Sequence, residues 1–328
     1  MTTTIRAVIA GCGGYLPERV VRNDDLPGAY GLDTSDEWIV ERTGIRQRHI
    51  AAEGETCSAM AAAAARQALE RAGIEAAAVD CIIVATATPD SAFPATAVRV
   101  QQQLGTTVGF AFDVSAACTG FVYGLGLADA LMRTGQSRCA LVIGAEVFSR
   151  IVDWTDRGTC VLFGDGAGAV VLTAEEGTGT ASDRGILSTH LHSDGRYGEI
   201  LLVDGGAGST GGTGLLRMAG KEVFRHAVSK LTSVVDEALA ANGLGHGDVR
   251  WLVPHQANLR IIEAMGKKLG LPKDRVVVTV DRHANTSAAS IPLALAEAAG
   301  QGRIERGDLV VMEGIGGGLT WGAALARF

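Results

Sequence analysis

Three polar side chains in this chain combine a nucleophile with hydrogen-bond donors for a developing anion. Cys118 lies in DVSAACTGF, His255 in VPHQAN and Asn285 in DRHANTSAAS. A thiolate is intrinsically a better nucleophile than a Ser or Thr alkoxide near neutral pH. An imidazole N–H and a carboxamide N–H2 form a neutral donor pair that suits an enolate oxygen. The three residues therefore predict a cysteine-dependent site, provided that the fold brings them together.

The local sequence favours Cys118 as a reactive thiol. It comes just before GFVYGLGLADALMRTG, which is apolar on nearly every face and so predicts a buried helix. Unpaired N–H groups at a helix N-terminus stabilise a thiolate, so we expect the pKa of Cys118 to be lowered. The other cysteines are expected to be inert core residues: Cys12, Cys57, Cys81, Cys139 and Cys160.

A second set of donors is expected in GIGGGLTWG, residues 314–322. Three consecutive glycines let backbone N–H groups approach a substrate closely. The structural alternative is a glycine-rich turn before a C-terminal strand. The chain has no GxGxxG motif between a strand and a helix, no P-loop and no HExxH motif. A dinucleotide-binding fold is therefore not expected.

Apolar runs typical of buried strands alternate with alanine-rich stretches typical of helices, which predicts an α/β fold with covered sheets. Strands are expected at 81–86, 110–114, 139–145, 167–174, 250–254, 275–280 and 308–314. Helices are expected at 56–72, 120–134, 221–241, 258–269 and 288–299. His255 then lies just past a strand end, where α/β sheets place functional groups.

The two halves of the chain repeat one another. A shift of 168 residues superposes three apolar runs and two strand-to-helix corners, and it places Cys118 on Thr286. Several matches in one register indicate a duplicated unit. We expect two similar halves, 1–175 and 176–328, about a pseudo-twofold axis, with a glycine-rich linker within 175–216. Matched corners would then face each other and bring Cys118 towards Asn285.

The composition limits the classes of function. The chain of 328 residues is 47% hydrophobic and carries a net charge of −7, which disfavours nucleic-acid binding. The apolar run 7–10 is too short for a signal peptide or a membrane span. The six cysteines form no CxxC pair, so neither a metal site nor a disulfide framework is expected, and a reducing cytoplasm fits.

One segment departs from the acidic average. Residues 260–275 contain five basic and two acidic side chains, a net charge of +3. This charge alone fits either a solvated helix face or a landing patch for an acidic partner.

Four motifs, in this order and spacing, resemble the β-ketoacyl-(acyl carrier protein) synthase III enzymes of type II fatty acid synthesis: DVSAACTGF, VPHQANLRII, DRHANTSAAS and GGGLTWG. The resemblance covers essentially the whole chain. It implies the thiolase fold, a five-layered αβαβα duplication. It also implies a priming decarboxylative Claisen condensation of an acyl-CoA with malonyl-acyl carrier protein, which releases coenzyme A and CO2.

The resemblance also implies roles for individual residues. Cys118 would carry the acyl group as a thioester, and His255 and Asn285 would stabilise the enolate. The backbone N–H groups of Cys118 and Gly317 would form the oxyanion hole. Coenzyme A would be a substrate rather than a cofactor, and its contacts would be Trp38 and Arg157 at the adenine, Arg42 at the phosphates, and Gly220 and Asn258 at the pantetheine arm.

Two partners are implied in the same way. Phe93 would cap the acyl pocket of a neighbouring subunit, which predicts a homodimer. Acyl carrier proteins are acidic, so an acidic enzyme needs a local positive surface to dock one. That surface would contain Arg225, Arg260, Lys267 and Lys268.

Three departures from the family pattern leave alternatives open. Ala284 in HANTS replaces the usual glycine, Ile315 stands where many members have phenylalanine, and the loop 205–214 is long. The last two keep open a specialised synthase that loads starters for polyketide or other natural-product synthesis. A papain-like cysteine hydrolase would need a CGSCW-type context, which is missing. A catalytically silent carrier-binding module would not need the intact Cys118, His255 and Asn285.

Overall fold

The computed structural model describes residues 4–328, which form two principal β-sheets and the helices that cover them. The strands are β1 (Thr4–Tyr15), β2 (Arg19–Arg22), β3 (Gln47–Ile50), β4 (Cys81–Ala85), β5 (Phe110–Val114), β6 (Cys139–Glu146), β7 (Gly166–Gly177), β8 (Gly185–Ser193), β9 (Leu201–Val203), β10 (Leu216–Met218), β11 (Trp251–Pro254), β12 (Leu309–Gly316) and β13 (Thr320–Arg327). The helices are α1 (Asp25–Tyr30), α2 (Asp36–Thr43), α3 (Cys57–Ala72), α4 (Thr96–Leu104), α5 (Gly120–Arg133), α6 (Gly220–Ala241), α7 (Leu259–Lys268), α8 (Val280–His283) and α9 (Ser290–Gly300).

The two sheets have the same strand order. The first runs β1-β7-β6-β4-β5 and the second β8-β13-β12-β11. In the first sheet β6, β4 and β5 are parallel, and β1 and β7 pair antiparallel. In the second sheet β11 and β12 are parallel, β13 and β8 pair antiparallel, and within residues 4–328 no strand corresponds to β5. The strand β7 continues to Gly177, two residues beyond the boundary expected at 175, and β8 opens the second sheet at Gly185.

Helices and sheets alternate in five layers. The helices α3 and α4 cover the outer face of the first sheet. The helix α6 covers the second, and α7 packs against α6. The helices α5 and α9 lie between the sheets and contact both. This is the αβαβα layering of the thiolase fold, and it explains why β4 and β6 are buried at every position.

Local signals set the ends of several elements. Thr56 caps α3 by accepting a hydrogen bond from Ala59 N, and Gly73 ends the helix with φ +66°. The five expected helices agree with α3, α5, α6, α7 and α9 within two residues at each end. The run 275–280 is the exception among the expected strands. It contributes only an isolated bridge between Val276 and Leu252, after which the chain turns into α8.

The repeat between the halves has a register of 170 residues over most of its length, rather than 168. The matched elements begin at residues 81 and 251 for β4 and β11, 139 and 309 for β6 and β12, and 120 and 290 for α5 and α9. Cys118 therefore corresponds to Ala288, and the match to Thr286 was wrong. A shift of two residues keeps every strand side chain on its own face, so the apolar runs match nearly as well at either shift.

Three general properties of the described residues bear on function. All six cysteines are buried and unpaired. Within residues 4–328 no group of three or more His, Cys, Asp or Glu side chains is placed to hold a metal ion. None of the helices in this range combines the length and the apolar character that crossing a bilayer requires.

Candidate active site

Cys118 lies in a single 3-10 turn, Ala117–Thr119, between β5 and the start of α5. The preceding Ala117 has φ +46°, a conformation that L-residues rarely adopt, so the turn is sharp. Strand β12 of the other half packs directly against this turn. A Cβ atom added at Gly316 would lie 2.6 Å from Cys118 N and 3.2 Å from Cys118 Cβ. Glycine at 316 is therefore required for the two halves to close around the thiol.

Burial has a large effect on the pKa of the Cys118 thiol. Burial raises its pKa to about 12, although hydrogen bonding by the Ser287 hydroxyl and by the Cys118 backbone N–H lowers it. The expectation of a lowered pKa was therefore wrong, because the helix N-terminus does not offset the loss of water around the sulfur.

His255 follows β11, and one backbone contact and one ring contact hold it in place. Its backbone N–H donates to Glu313 O (2.8 Å), and Nδ1 lies 2.6 Å from Ser290 Oγ. Ser290 Oγ already accepts a hydrogen bond from Gln256 N (3.3 Å), so its own proton is free to be donated to Nδ1. With Ser290 as the donor, the ring proton is on Nε2, which has no hydrogen-bond partner among residues 4–328.

The imidazole of His255 is neutral. Burial lowers its pKa to about 3, so at neutral pH it carries a single N–H, on Nε2. Its neighbour Gln256 holds the strand end in place. Gln256 Nε2 donates to Pro254 O (2.8 Å), and its Oε1 accepts from Thr279 N (2.8 Å) and Val280 N (3.1 Å). These bonds join the histidine strand to the segment that leads to Asn285.

Asn285 is fixed from both sides by its backbone. Its N–H donates to Leu162 O (2.9 Å) and its carbonyl accepts from Gly164 N (3.1 Å). The side-chain oxygen accepts from Ser287 N (2.9 Å), which orients the carboxamide. The Nδ2 group forms no hydrogen bond within the described part of the chain, so it is available as a donor to a bound molecule.

One cavity of about 520 Å3 brings the three predicted catalytic residues together. Cys118, His255 and Asn285 all line it. Seven of the other predicted site residues line it as well: Trp38, Arg42, Arg157, Gly220, Asn258, Arg260 and Ile315. The cavity therefore joins a reactive floor to a mouth that is rich in arginine.

The mouth contains an aromatic side chain between two cations. The guanidinium carbons of Arg42 and Arg157 lie 4.5 and 4.7 Å from the centre of the Trp38 ring. Arg157 also donates to Asp33 O. A planar group between Trp38 and Arg157 would need about 3.5 Å of van der Waals separation from each of them. The 4.7 Å between the Trp38 ring centre and the Arg157 guanidinium carbon is too short for that. Arg157 must move away from Trp38 before such a ligand enters.

Asn258 and Arg260 connect α7 to α2. Asn258 caps α7 by accepting from Arg260 N (2.9 Å), and its Nδ2 donates to Arg42 O (3.0 Å). Arg260 donates to Glu41 O (2.8 Å). Both side chains therefore also shape the mouth of the cavity.

Gly317 and Ile315 flank Gly316 at the end of β12. A Cβ atom at Gly317 would lie 2.7 Å from Leu201 O, so the chain at this glycine is packed closely against β9. Ile315 is 6% exposed and packs with the apolar layer on the side of α6, where it reaches the cavity. Side chains alternate along the strand, so Ile315 points away from the face that contacts Cys118.

Phe93 does not line the cavity that holds Cys118. It is 85% exposed, on the loop between β4 and α4. A second cavity of about 610 Å3 lies beside this loop, and its walls include 87–92, 205–207 and 211–213. The loop 205–214 closes on itself, since a Cβ atom at Gly205 would lie 2.7 Å from Gly214 Cα. It borders this second cavity and is absent from the lining of the first.

The basic residues of the expected docking surface are all exposed. Arg225 lies on α6 and approaches Glu222 at 3.9 Å, a contact of little energetic weight at such exposure. Arg260, Lys267 and Lys268 lie on α7. Lys267 also borders an apolar groove between α7 and the 271–278 segment. Lys267 and Lys268 are away from the cavity lining.

Several residues of the site were not singled out from the sequence. Ser290 orients His255, Gln256 ties two segments together, and Gly316 permits the approach to Cys118. The motifs VPHQAN and NTSAAS contain the first two, but a polar residue in a motif does not reveal its partner. The second half supplies Gly316, and only the folded duplication places it against the first.

Two family models match the chain. Residues 112–195 match 3-oxoacyl-[acyl-carrier-protein (ACP)] synthase III, and residues 239–328 match its C-terminal domain. The beta-ketoacyl-[acyl-carrier-protein] synthase III of Rhodospirillum centenum is 65% identical over 99% of both chains.

Solved structures agree. The crystal structure of 3-oxoacyl-[acyl-carrier-protein] synthase III from Aquifex aeolicus has a TM-score of 0.91 and 47% identity, and the alignment covers 98% of this chain and 100% of that chain. The priming beta-ketosynthase of the R1128 polyketide pathway also has a TM-score of 0.91, with 36% identity over 99% of this chain and 97% of that chain.

The fold and the cavity define a condensing acyltransferase of the thiolase fold. The chain belongs to the 3-oxoacyl-[acyl-carrier-protein] synthase III family. The backbone comparison alone does not separate this family from the polyketide priming synthase, because both TM-scores are 0.91. The sequence identity does separate them, since it is 65% with the Rhodospirillum centenum synthase III and 36% with the polyketide priming synthase. This difference disfavours the starter-loading alternative.

Proposed function

We propose that the protein catalyses the priming condensation of an acyl-CoA with malonyl-acyl carrier protein, and that Cys118 carries the acyl group. The Cys118 thiolate attacks the thioester carbonyl, and coenzyme A leaves. The observation that carries the proposal is the shared cavity, in which a buried thiol faces two neutral N–H donors on His255 and Asn285. Backbone N–H groups of Cys118 and Gly317 would bind the oxyanion of the tetrahedral intermediate.

The second half of the reaction uses the two side-chain donors. Malonyl-carrier enters the same cavity and loses CO2, which leaves an enolate. Its oxygen accepts hydrogen bonds from His255 Nε2 and Asn285 Nδ2. The carbon nucleophile then attacks the Cys118 thioester and gives 3-oxoacyl-carrier. Because burial keeps His255 neutral, the site binds the enolate by hydrogen bonds alone, and the proposed reaction uses no cofactor beyond the coenzyme A thioester.

The mouth would bind the nucleotide end of coenzyme A. Trp38 and Arg157 would enclose the adenine once Arg157 has moved, and Arg42 would contact the phosphates. Gly220, at the first turn of α6, and Asn258 would contact the pantetheine arm. Anionic phosphates suit a mouth whose cations include Arg42, Arg157 and Arg260.

The acyl carrier protein would dock on the exposed cations of α6 and α7. Arg225, Arg260, Lys267 and Lys268 give this surface a positive potential on a chain whose net charge is −7. Such local complementarity steers an acidic partner and raises its association rate.

We infer in addition that two copies of the chain associate through the loop that carries Phe93. A phenylalanine that is 85% exposed gains by entering an apolar pocket, and in a dimer it would cap the acyl pocket of the other copy. The inferred setting is the cytoplasm, where the six unpaired cysteines remain reduced.

The first test is intact mass spectrometry after incubation with a panel of acyl-CoAs. We expect wild type to gain the mass of one acyl group, which hydroxylamine removes because the link is a thioester, and Cys118→Ser to gain none. The acyl-CoA that loads fastest would identify the starter. A lack of loading with every acyl-CoA would contradict the proposal and favour an acyl-carrier donor.

A further inference from the structure

The hydrogen bonds that fix Asn285 depend on a segment with little regular structure of its own. Residues 161–164 form a turn and one isolated bridge, between Phe163 and Asn285. Leu162 O accepts from Asn285 N and Gly164 N donates to Asn285 O, so the position of this segment sets the position of the carboxamide. The segment must therefore be held in place by contacts from another part of the chain.

A buried arginine on β3 supplies such contacts. Arg48 is fully buried, and its Nη2 donates a hydrogen bond to Val161 O (2.8 Å). A Cβ atom added at Gly164 would lie 3.1 Å from Arg48 Cβ, so the stem of the arginine packs against the far end of the segment. Arg48 thus contacts both ends of the segment that holds Asn285.

The guanidinium of Arg48 is a buried cation without a carboxylate partner. Its hydrogen-bond acceptors within residues 4–328 are Val21 O (3.2 Å), Val161 O (2.8 Å) and Asn23 Oδ1 (2.8 Å). Taking a charge out of water is costly unless it is paired, and an apolar side chain of similar volume is often no worse for stability. What arginine provides at this position, and an apolar side chain does not, is a planar fork that joins three separate segments of the chain.

Asn23 fixes the other side of the guanidinium. It is fully buried, and its Oδ1 accepts from Arg48 while its Nδ2 donates to Ile45 O (2.7 Å) and to Asp36 Oδ1 (2.8 Å). Asp36 is the first residue of α2, the helix that forms one side of the cavity mouth. A continuous chain of hydrogen bonds therefore runs from the mouth through Arg48 to the segment that holds Asn285.

Strand β3 itself is anchored without the Arg48 side chain. Arg46 N donates to Asp281 O (3.0 Å) on α8, and His49 O accepts from Asp165 N (2.9 Å). The strand also pairs with β2 over its whole length. Because these are all backbone bonds, replacing the side chain of Arg48 should remove the support of residues 161–164 and leave the strand in place.

We propose that Arg48 is a positioning residue for the condensation and that it holds the Asn285 carboxamide in the cavity through residues 161–164. Arg48 is absent from the cavity lining, so it acts on a substrate only through Asn285. For its effect on rate, the inference rests on the proposed role of Asn285 as an enolate donor.

The first test measures hydrogen–deuterium exchange in the absence of substrate, so its outcome does not depend on the proposed function. Asn285 N donates to Leu162 O and Ser287 N donates to Asn285 Oδ1, so exchange at these two N–H groups reports on the backbone and the side chain of Asn285. Arg48→Lys keeps the charge but loses the planar fork. Exchange at both sites should become about 5- to 10-fold faster, while exchange in β6 should not change.

The second test compares the rates of the two half-reactions. In Arg48→Lys, malonyl decarboxylation should fall about 10- to 100-fold, whereas acylation of Cys118 should stay within about twofold of wild type. In the background of Asn285→Ala the same replacement should have no further effect, because its route to the substrate is already lost. Asn23→Ala removes one acceptor of the guanidinium and should show the same pattern with a smaller loss, so it serves as the test where Arg48→Lys does not fold.

Arg6→Lys is the matched control. Arg6 is also a buried arginine, and it donates to Leu187 O (3.1 Å) and Thr180 O (3.3 Å). These partners belong to β8 and to the link between β7 and β8, rather than to the segment that holds Asn285. The control should leave exchange at Asn285 and the ratio of the two rates unchanged.

Three results would each overturn the inference. They are wild-type exchange at Asn285 in folded Arg48→Lys and Asn23→Ala, an equal loss of both half-reactions, and a further loss of rate in the Asn285→Ala background. A wild-type rate of decarboxylation in Asn285→Ala would instead count against the proposed function. The exchange measurement would then still decide whether Arg48 positions Asn285.

Discussion

The Nδ1 atom of His255 lies 2.6 Å from the hydroxyl of Ser290, and this contact decides which nitrogen of the imidazole faces the cavity. Ser290 accepts a hydrogen bond from Gln256 N and can donate its own proton to the histidine. Ser290 is the first residue of α9. In the repeat of 170 residues it corresponds to Gly120, the first residue of α5, which comes two residues after Cys118. The corners before α5 and α9 thus place a glycine and a hydroxyl at equivalent helix starts.

Replacing Ser290 should impair decarboxylation more than acylation. In Ser290→Ala the imidazole loses its fixed tautomer and orientation, and we expect malonyl decarboxylation to fall about 10- to 100-fold. Ser290→Thr keeps a hydroxyl and should recover most of the rate. Nitrogen-15 NMR of the imidazole provides a direct readout, because the Nε2–H signature should be lost in the alanine variant. An unchanged tautomer would contradict the assigned role.

Removing either enolate donor should separate the two half-reactions. His255→Ala and Asn285→Ala should retain Cys118 acylation and should each lower decarboxylation by about 10²- to 10³-fold, the usual cost of one such donor. Acylation is followed by intact mass, and decarboxylation by release of labelled CO2. If both variants lost acylation as completely as Cys118→Ala, the division of labour would be wrong.

The stacked arginine at the mouth leads to a prediction about KM. Arg157→Ala should raise the KM for acyl-CoA about tenfold, because one face of the adenine site is lost. It should leave the KM for the same acyl group on pantetheine unchanged, since that substrate lacks the nucleotide. Steady-state kinetics with both substrates measure the difference. An equal rise for both would place Arg157 outside the nucleotide site.

Charge reversal on α7 should affect the carrier protein alone. We expect Lys267→Glu and Lys268→Glu together to raise the KM for malonyl-carrier at low salt, with the difference shrinking as salt increases. Reactivity with malonyl-CoA should not change. The matched control is Arg138→Glu, an exposed arginine in the other half of the chain. A similar effect of Arg138→Glu would indicate a general charge effect rather than a docking surface.

Ala284 should be a source of strain. Its φ of +58° with ψ −161° is a conformation suited to glycine, and the residue is completely buried. Such a conformation costs about 1 to 3 kcal/mol for a residue with a Cβ atom. Glycine at this position costs about 0.5 to 1 kcal/mol of stability, because its unfolded chain has more conformational entropy to lose. We therefore expect Ala284→Gly to raise the free energy of unfolding by about 1 kcal/mol, measured by urea denaturation, and a loss of stability would contradict this.

The sequence predicts most strands and helices well, because each depends on a local pattern. The catalytic roles of Cys118, His255 and Asn285 stay predictions, although the three side chains line one cavity. Cys118, His255 and Asn285 follow apolar runs, and such corners meet when two alike halves pack together. The pKa of Cys118 was predicted in the wrong direction, since the degree of burial depends on Gly316, which is distant in the chain. The strand expected at 275–280 failed for a related reason. Three of its four valines are buried, but the Gln256 side chain accepts hydrogen bonds from the backbone N–H groups of Thr279 and Val280.

Neighbouring residues at the end of β12 differ in how freely they can be replaced. Gly314 and Gly316 are in contact with the other half of the chain, where a Cβ atom at 316 would strike the backbone of Cys118. Ile315, between them, points the other way and reaches the cavity without touching that contact. The size of this one side chain can therefore change without disturbing the packing of β12 against Cys118, and we expect such a change to alter the choice of starter. Divergence in substrate range within such enzymes is expected to collect at this position.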